Sequence, residues 1–293
     1  MTQGNARRGY LGQELIGVPE DILENRVSRS PRLASTIRIR EVSVCLEDTG
    51  EGPPLLLLHG FPATRHLWSS VAPILVSAGF RVLIPDLVGY GDSEAPRGTR
   101  VDMRSQAGWM LELLDRLGVA RAVIIAHDVG SAAAQLMVVN APDRVRGLAI
   151  LDGVYAAEWA MGAITSIQDW DPADAHRLAP VLTRRLGKSV ALREMLASYQ
   201  GEQGGLRLIR ASRDLDPSQT ANIGERLRAR SVPAIVLWGE RDVFLPIRTV
   251  GQPLAELLNA PLVELPGGHF TPFDCPAEVS DALRTFLASL PAR

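Results

Sequence analysis

The chain has 293 residues, 46% of them hydrophobic and 22% charged, with a net charge of −2. This balance supplies a sizeable core and gives no electrostatic ground for binding nucleic acid, so small molecules are the expected partners. No stretch approaches the ~20 apolar residues of a membrane helix, and the first residues lack a signal-peptide apolar run. Cys45 and Cys275 lie far apart, without metal-ligand spacing. A cytoplasmic protein with packed thiols, no disulfide framework, no zinc site and no membrane partner is expected.

Residues 1–35 mix Gly, Arg, Ser and Pro with little periodicity and read as an N-terminal arm. "TIRIREVSVCLEDTG" alternates apolar and polar residues, as a half-exposed antiparallel pair does. "PLLLLHG" is instead a continuous apolar run, suited to a strand buried on both faces. Similar runs recur at "FRVLIPD", "RAVIIAHD", "GLAILDG", "PAIVLWGE" and "PLVELPG". Between them Met103, Ala107, Met110, Leu111, Leu114 and Leu117 follow helical spacing and stop at Gly118; Val279, Leu283, Phe286, Leu287 and Leu290 do the same after Pro276. Alternating strands and helices predict an α/β fold: a mostly parallel sheet covered on both faces, with ligands beyond the carboxyl ends of the strands. Residues 154–230 break the pattern with helical pieces such as "HRLAPVLTRRLG" and "VALREMLASYQ". They read as an inserted helical cap over a core of 36–153 and 231–293. Within the cap, Arg184, Arg185 and Lys188 read as a solvated helix face.

The segment "IIAHDVGSAAAQ", residues 124–135, puts Asp128 at the apex of a strand, tight turn and helix bounded by small residues, the geometry of a nucleophile elbow. Taken alone, this is equally the pattern of an aspartate capping the following helix. Ser131 falls inside the first helical turn and is excluded as the apex. Asp242 in "WGERDVFLP" and His269 in "PGGHFTPFD" complete the chain order of nucleophile, acid and histidine. Upstream, His59-Gly60-Phe61-Pro62 follows a strand, so the backbone N–H groups of Phe61 and Val129 can form an oxyanion hole. His59 and His127 read as structural hydrogen-bonding residues, His66 and His176 as surface or cap residues, Asp86 as a loop holder and Glu240 as a turn residue.

In order, "HGFP", "PDLVGYGDS", "AHDVGS", "WGERD" and "GGHF", spanning about residues 38–290, resemble the α/β-hydrolase superfamily. With aspartate at the apex, the pattern is similar to the epoxide hydrolase and haloalkane dehalogenase branch. The resemblance implies Asp128 as nucleophile, His269 as base and Asp242 as its orienting acid, with Asp152 the runner-up acid and no metal or organic cofactor. Aspartate is already an anion at neutral pH and can displace a leaving group from saturated carbon, giving an enzyme ester. The histidine then activates water against that ester. The chain departs from each subfamily somewhere. Val129 stands where haloalkane dehalogenases carry a halide-binding tryptophan, and Phe61 where they carry a side-chain donor. Val129 and Ala132 stand where fluoroacetate dehalogenases carry arginines, and Ile209 in "GGLRLIR" where epoxide hydrolases carry a cap tyrosine. Tyr155, Tyr199, Trp159 and Trp170 are therefore the cap's candidate donors or pocket lining. The first expectation is an epoxide hydrolase acting on a small or medium apolar substrate. A dehalogenase using the same ester is the alternative, and a non-catalytic ligand-binding protein on this fold is the alternative of another class. A homodimer is compatible with these readings.

Overall fold

A computed structural model describes residues 34–186 and 195–291. The 1–35 arm up to residue 33, Lys188 of the basic cluster, and residues 190–194 of the second cap helix reading lie outside these described residues.

Strands β1 (Ser35–Ile39), β2 (Val42–Thr49), β3 (Pro54–Leu58), β4 (Arg81–Pro85), β5 (Ala122–His127), β6 (Val145–Leu151), β7 (Ala234–Gly239) and β8 (Leu262–Leu265) form one sheet. Their order is β1-β2-β4-β3-β5-β6-β7-β8. The alternating segment makes the antiparallel pair β1–β2, and β2 also pairs antiparallel with β4; every later pairing is parallel. All six residues of β5, Ala-Val-Ile-Ile-Ala-His, are buried, as expected of a strand covered on both faces. β5 lies between β3 and β6, so its carboxyl end opens at the middle of the sheet.

The helices pack outside. After α1 (Ala72–Ser77), α2 (Met103–Arg116) is capped by the Asp102 side chain, which accepts the Ser105 N–H at 2.8 Å, and ends before Gly118 at φ +66°. α3 (Gly130–Asn140) leaves β5 directly and is buried from Gly130 to Val139. Its small first residues explain this depth, because a Cβ on Gly130 would stand 2.3 Å from the His59 carbonyl oxygen.

Between β6 and β7 the described chain is helical: α4 (Met161–Gln168), α5 (Leu178–Leu186), α6 (Gly201–Arg213) and short turns at Ser218–Ala221 and Gly224–Arg228. An isolated bridge between Tyr155 and Glu158 is the strand-like pairing described there. α6 is tied to the core by Arg207, which donates to the Gly91 carbonyl at 2.5 Å, and by Arg210, which donates to the carbonyls of Pro96 and Thr99 at 2.7 Å each. The described residues fall in one compact unit. α7 (Gln252–Leu258) and α8 (Pro276–Ser289) complete the helical layers. Cys45 on β2 and Cys275 at the start of α8 are both buried free thiols.

Candidate active site

The chain turns from β5 into α3 through Asp128 at φ +48°, a left-handed conformation that L-residues rarely adopt. The helix-capping alternative fails here, since Val129 occupies the N-cap position and no side chain caps the helix. The bend instead aims the Asp128 carboxylate at the loop after β3, where its Oδ2 accepts the Phe61 N–H at 2.8 Å. The backbone N–H of Val129 also favours the ionised form of this carboxylate. The close approach requires glycine at position 60, where a Cβ would stand 2.4 Å from Asp128 Cβ and 2.6 Å from Oδ2.

The other carboxylate oxygen, Oδ1, faces His269 Nε2 at 3.9 Å, too far for a direct hydrogen bond and close enough for a shared water. His269 Nδ1 donates to Asp242 Oδ2 at 2.9 Å. Asp242 is fixed in turn, its Oδ1 accepting the N–H groups of Phe244 at 2.8 Å and Leu245 at 3.0 Å. Asp152, also at a strand end and at φ +44°, does not bond the imidazole. Its Oδ1 accepts the Gly239 N–H at 2.7 Å, and its Oδ2 accepts the Thr271 hydroxyl. The carboxylate that orients His269 is therefore Asp242, and the runner-up acid serves the loop that follows the histidine.

These groups share charge at close quarters. Burial pulls the His269 imidazole down, but the Asp242 hydrogen bond and the carboxylates of Asp128, Asp242 and Asp152 outweigh it and raise it to about 9. Burial pushes the Asp128 carboxyl up, opposed by the His269 charge and the N–H groups of Phe61 and Val129. Asp152 is pushed up to about 8, mainly by burial. The charge of Asp128 is thus one of those that hold the His269 proton.

A cavity of about 350 Å³ opens over Asp128 and His269. Its walls are Phe61, Pro62, Phe244 and Phe270 from the core, and Ala160, Gly162, Ile164, Ser166, Ile167 and Leu182 from the helical insertion. Phe270 follows His269 and Phe244 lies two residues after Asp242, so positions flanking the paired residues were the available sequence signal for both. Ile164 and Ile167 show helical spacing, but spacing alone does not say which wall they form. A wider groove of about 580 Å³ lies at the opposite ends of the strands, beside Pro54, Arg81 and Arg146, away from the carboxylate and imidazole.

The four cap aromatics do not line the cavity. Tyr199 is fully buried, and its hydroxyl donates to the Ala63 carbonyl and accepts the Gly91 N–H, both at 3.2 Å. Burial raises that hydroxyl well above the ordinary phenol range. The indole N–H of Trp159 donates to the Thr220 hydroxyl at 3.0 Å, and that of Trp170 to the Asp174 carbonyl at 3.1 Å. Tyr155 stands in the bridge with Glu158. Tyr199 ties the insertion to the core, the two indoles bond within the insertion, and Tyr155 pairs there through its backbone.

The histidines beside the site are held by the backbone. His59 Nδ1 donates to the Gly60 carbonyl at 2.8 Å while its Nε2 accepts the Leu87 N–H at 2.9 Å. His127 Nε2 donates to the His269 carbonyl at 2.7 Å. Asp86 holds its loop as expected, and its partner is one the sequence reading missed. Arg65 is buried, donates its N–H to Asp86 Oδ1 at 2.7 Å and pairs its guanidinium with the same carboxylate.

A profile of the alpha/beta hydrolase fold matches residues 53–178. An epoxide hydrolase of Caballeronia sordidicola is 25% identical over 86% of this chain and 92% of its own length. Haloalkane dehalogenase 2 of Mycobacterium tuberculosis strain H37Rv is 29% identical over 80% of this chain and 88% of its own. Among solved structures, an alpha/beta hydrolase fold protein of Burkholderia ambifaria superposes with a TM-score of 0.72 at 24% identity, covering 86% of this chain and 97% of that one. Among the described residues, no helix is long and apolar enough to cross a membrane.

Proposed function

The chain belongs to the α/β-hydrolase family and is a hydrolase of that type, and from this premise we propose that it hydrolyses an apolar alkyl substrate through a covalent ester on Asp128. One observation carries the reading: Asp128 has one oxygen on the Phe61 N–H at 2.8 Å and the other 3.9 Å from the His269 imidazole. A carboxylate so held is a nucleophile through Oδ1, and its ester carbonyl oxygen already sits where an oxyanion must be stabilised. The hydrolase and dehalogenase relatives favour catalysis over a non-catalytic ligand-binding role.

In the first half-reaction Oδ1 attacks saturated carbon, an Oδ1–C bond forms, and the leaving group departs with its electron pair. Esterification removes the Asp128 charge, one of the interactions that raise the His269 imidazole, so the histidine more readily gives its proton up to solvent, as the acid equivalent of a departed halide, or to the alkoxide of an opened epoxide. Water then adds to the Asp128 carboxyl carbon, giving its proton to Nε2. The tetrahedral oxyanion rests on the N–H groups of Phe61 and Val129. Collapse breaks the bond from the carboxyl carbon to the product oxygen. The departing alkoxide takes the proton from Nε2, the proton left on the new carboxyl group then passes to the freed Nε2, and the water oxygen remains in the restored carboxylate.

The walls bear on the leaving group. An epoxide opens to a strongly basic alkoxide and calls for a phenol-like acid; a halide leaves as a weak base and needs none. Among the described lining residues there is no phenol, and Ser166 is the one side-chain hydroxyl. The described lining also holds no indole or side-chain amide N–H donor for a halide, so the first reading, an alkyl halide, rests on its weakly basic leaving group and on the dehalogenase relative. The epoxide hydrolase relative supports the second reading, ring opening of an apolar epoxide.

1-Bromobutane and styrene oxide test the two by bromide release and diol formation. His269→Gln is expected to gain the mass of the alkyl group on Asp128 and stop, and Asp128→Asn to lose turnover by at least ~10³-fold. Turnover by wild type with no mass gained by His269→Gln counts against the ester.

A further inference from the structure

We infer that His127, the residue before the proposed nucleophile, is a positioning residue that places the His269 imidazole for the water-addition step; this rests on the ester chemistry proposed above. His127 is fully buried at the end of β5, and its Nε2 meets the His269 carbonyl oxygen at 2.7 Å. A carbonyl only accepts, so Nε2 carries the proton. Burial first, then the neighbouring His269 charge, hold this imidazole well below its ordinary range, so it is neutral and Nδ1 is a bare lone pair. That lone pair is buried without a partner among the described residues, and burying an unpaired acceptor costs stability. A phenyl ring would fill the same space without that cost. What histidine adds is the N–H on the base-bearing loop.

The rings reinforce this contact. Phe270 stacks on His127 with centroids 5.7 Å apart and planes at 29°, and the His269 ring lies at 4.9 Å. One residue further on, the Thr271 hydroxyl is anchored to Asp152 at the end of β6. Residues 269–271 are thus pinned from two adjacent strand ends. None of the donors to the Asp128 carboxylate belongs to the His127 side chain. Losing the His127 donor should shift the base and leave the nucleophile in place, slowing the second half-reaction selectively.

The test is single turnover with 1-bromobutane or styrene oxide, whichever wild type consumes faster, quenched in time and read by intact mass. His127→Phe is expected to form ester within about threefold of the wild-type rate and to hydrolyse it roughly 10- to 100-fold more slowly, so that the adduct accumulates. His127→Gln, with an amide N–H that can reach the carbonyl, should restore hydrolysis. If His127→Phe does not fold, His127→Asn, polar but too short to reach, is judged by the same selective slowing. Equal loss in both half-reactions, or turnover without an accumulating adduct, overturns the inference. His269→Gln is the control: adduct there and none in the His127 variants rejects the positioning role alone, whereas no adduct in either rejects the ester.

Discussion

At the residue scale, the site is built from backbone conformations that few side chains tolerate. Asp128 at φ +48° projects a carboxylate into a gap kept open because Gly60 has no side chain. Gly60→Ala would place its methyl 2.4 Å from Asp128 Cβ, the stiff base of that side chain, so the bend itself must shift. The expected outcome is loss of the Phe61 donor alignment, a fall in kcat of roughly 10²-fold or more, and a lower Tm, read by steady-state kinetics and thermal unfolding. Loss of Tm with kcat intact would show that the N–H of Phe61 is dispensable.

At the element scale, the sheet decides which of two similar aspartates serves the histidine. Asp152 and Asp242 each follow a buried strand, and nothing in their local sequence separates them. The register of β6 against β7 does, by seating Asp152 under the Gly239 N–H while the turn after β7 carries Asp242 to the imidazole. The strands, the strand-to-helix bend and the order of Asp128, Asp242 and His269 were legible because each rests on a local pattern: apolar runs, small residues around an apex, glycines before a loop histidine. Tyr199 was not, because its hydroxyl partners at Ala63 and Gly91 lie 136 and 108 residues away in the chain. It is a strut between the helical insertion and two core loops. Tyr199→Phe leaves the Gly91 N–H and Ala63 carbonyl unpaired, and about 1–3 kcal/mol of stability should be lost in chemical denaturation. KM should rise with ester formation at saturation unchanged. A collapse of kcat alone would return Tyr199 to the role of proton donor.

At the scale of the whole molecule, the buried charges couple folding to pH. An unfolded histidine titrates near 6.5 and an unfolded aspartate near 3.9. In the fold His269 is held at about 9 and Asp152 at about 8, so the native state binds more protons than the unfolded chain between these limits. Stability from these groups therefore falls as pH rises. The His269 contribution is complete below about 6.5 and is lost by about 9; the cost of ionising Asp152 accrues from about 4 to about 8. Tm measured across pH 6 to 9.5 should decline, and Asp128→Asn, which removes one of the charges holding the His269 proton, should flatten that decline. A Tm that climbs over the same interval would contradict the assignment of charge in the site.

The two cysteines give the molecule a built-in pair of reporters. Burial raises both thiols, Cys275 to about 12, so neither reacts readily with an alkylating reagent while its surroundings stay closed. One sits on β2 toward one edge of the sheet, the other where α8 begins. The order in which they become labelled in rising urea would tell which margin of the sheet opens first, without adding any further cysteine.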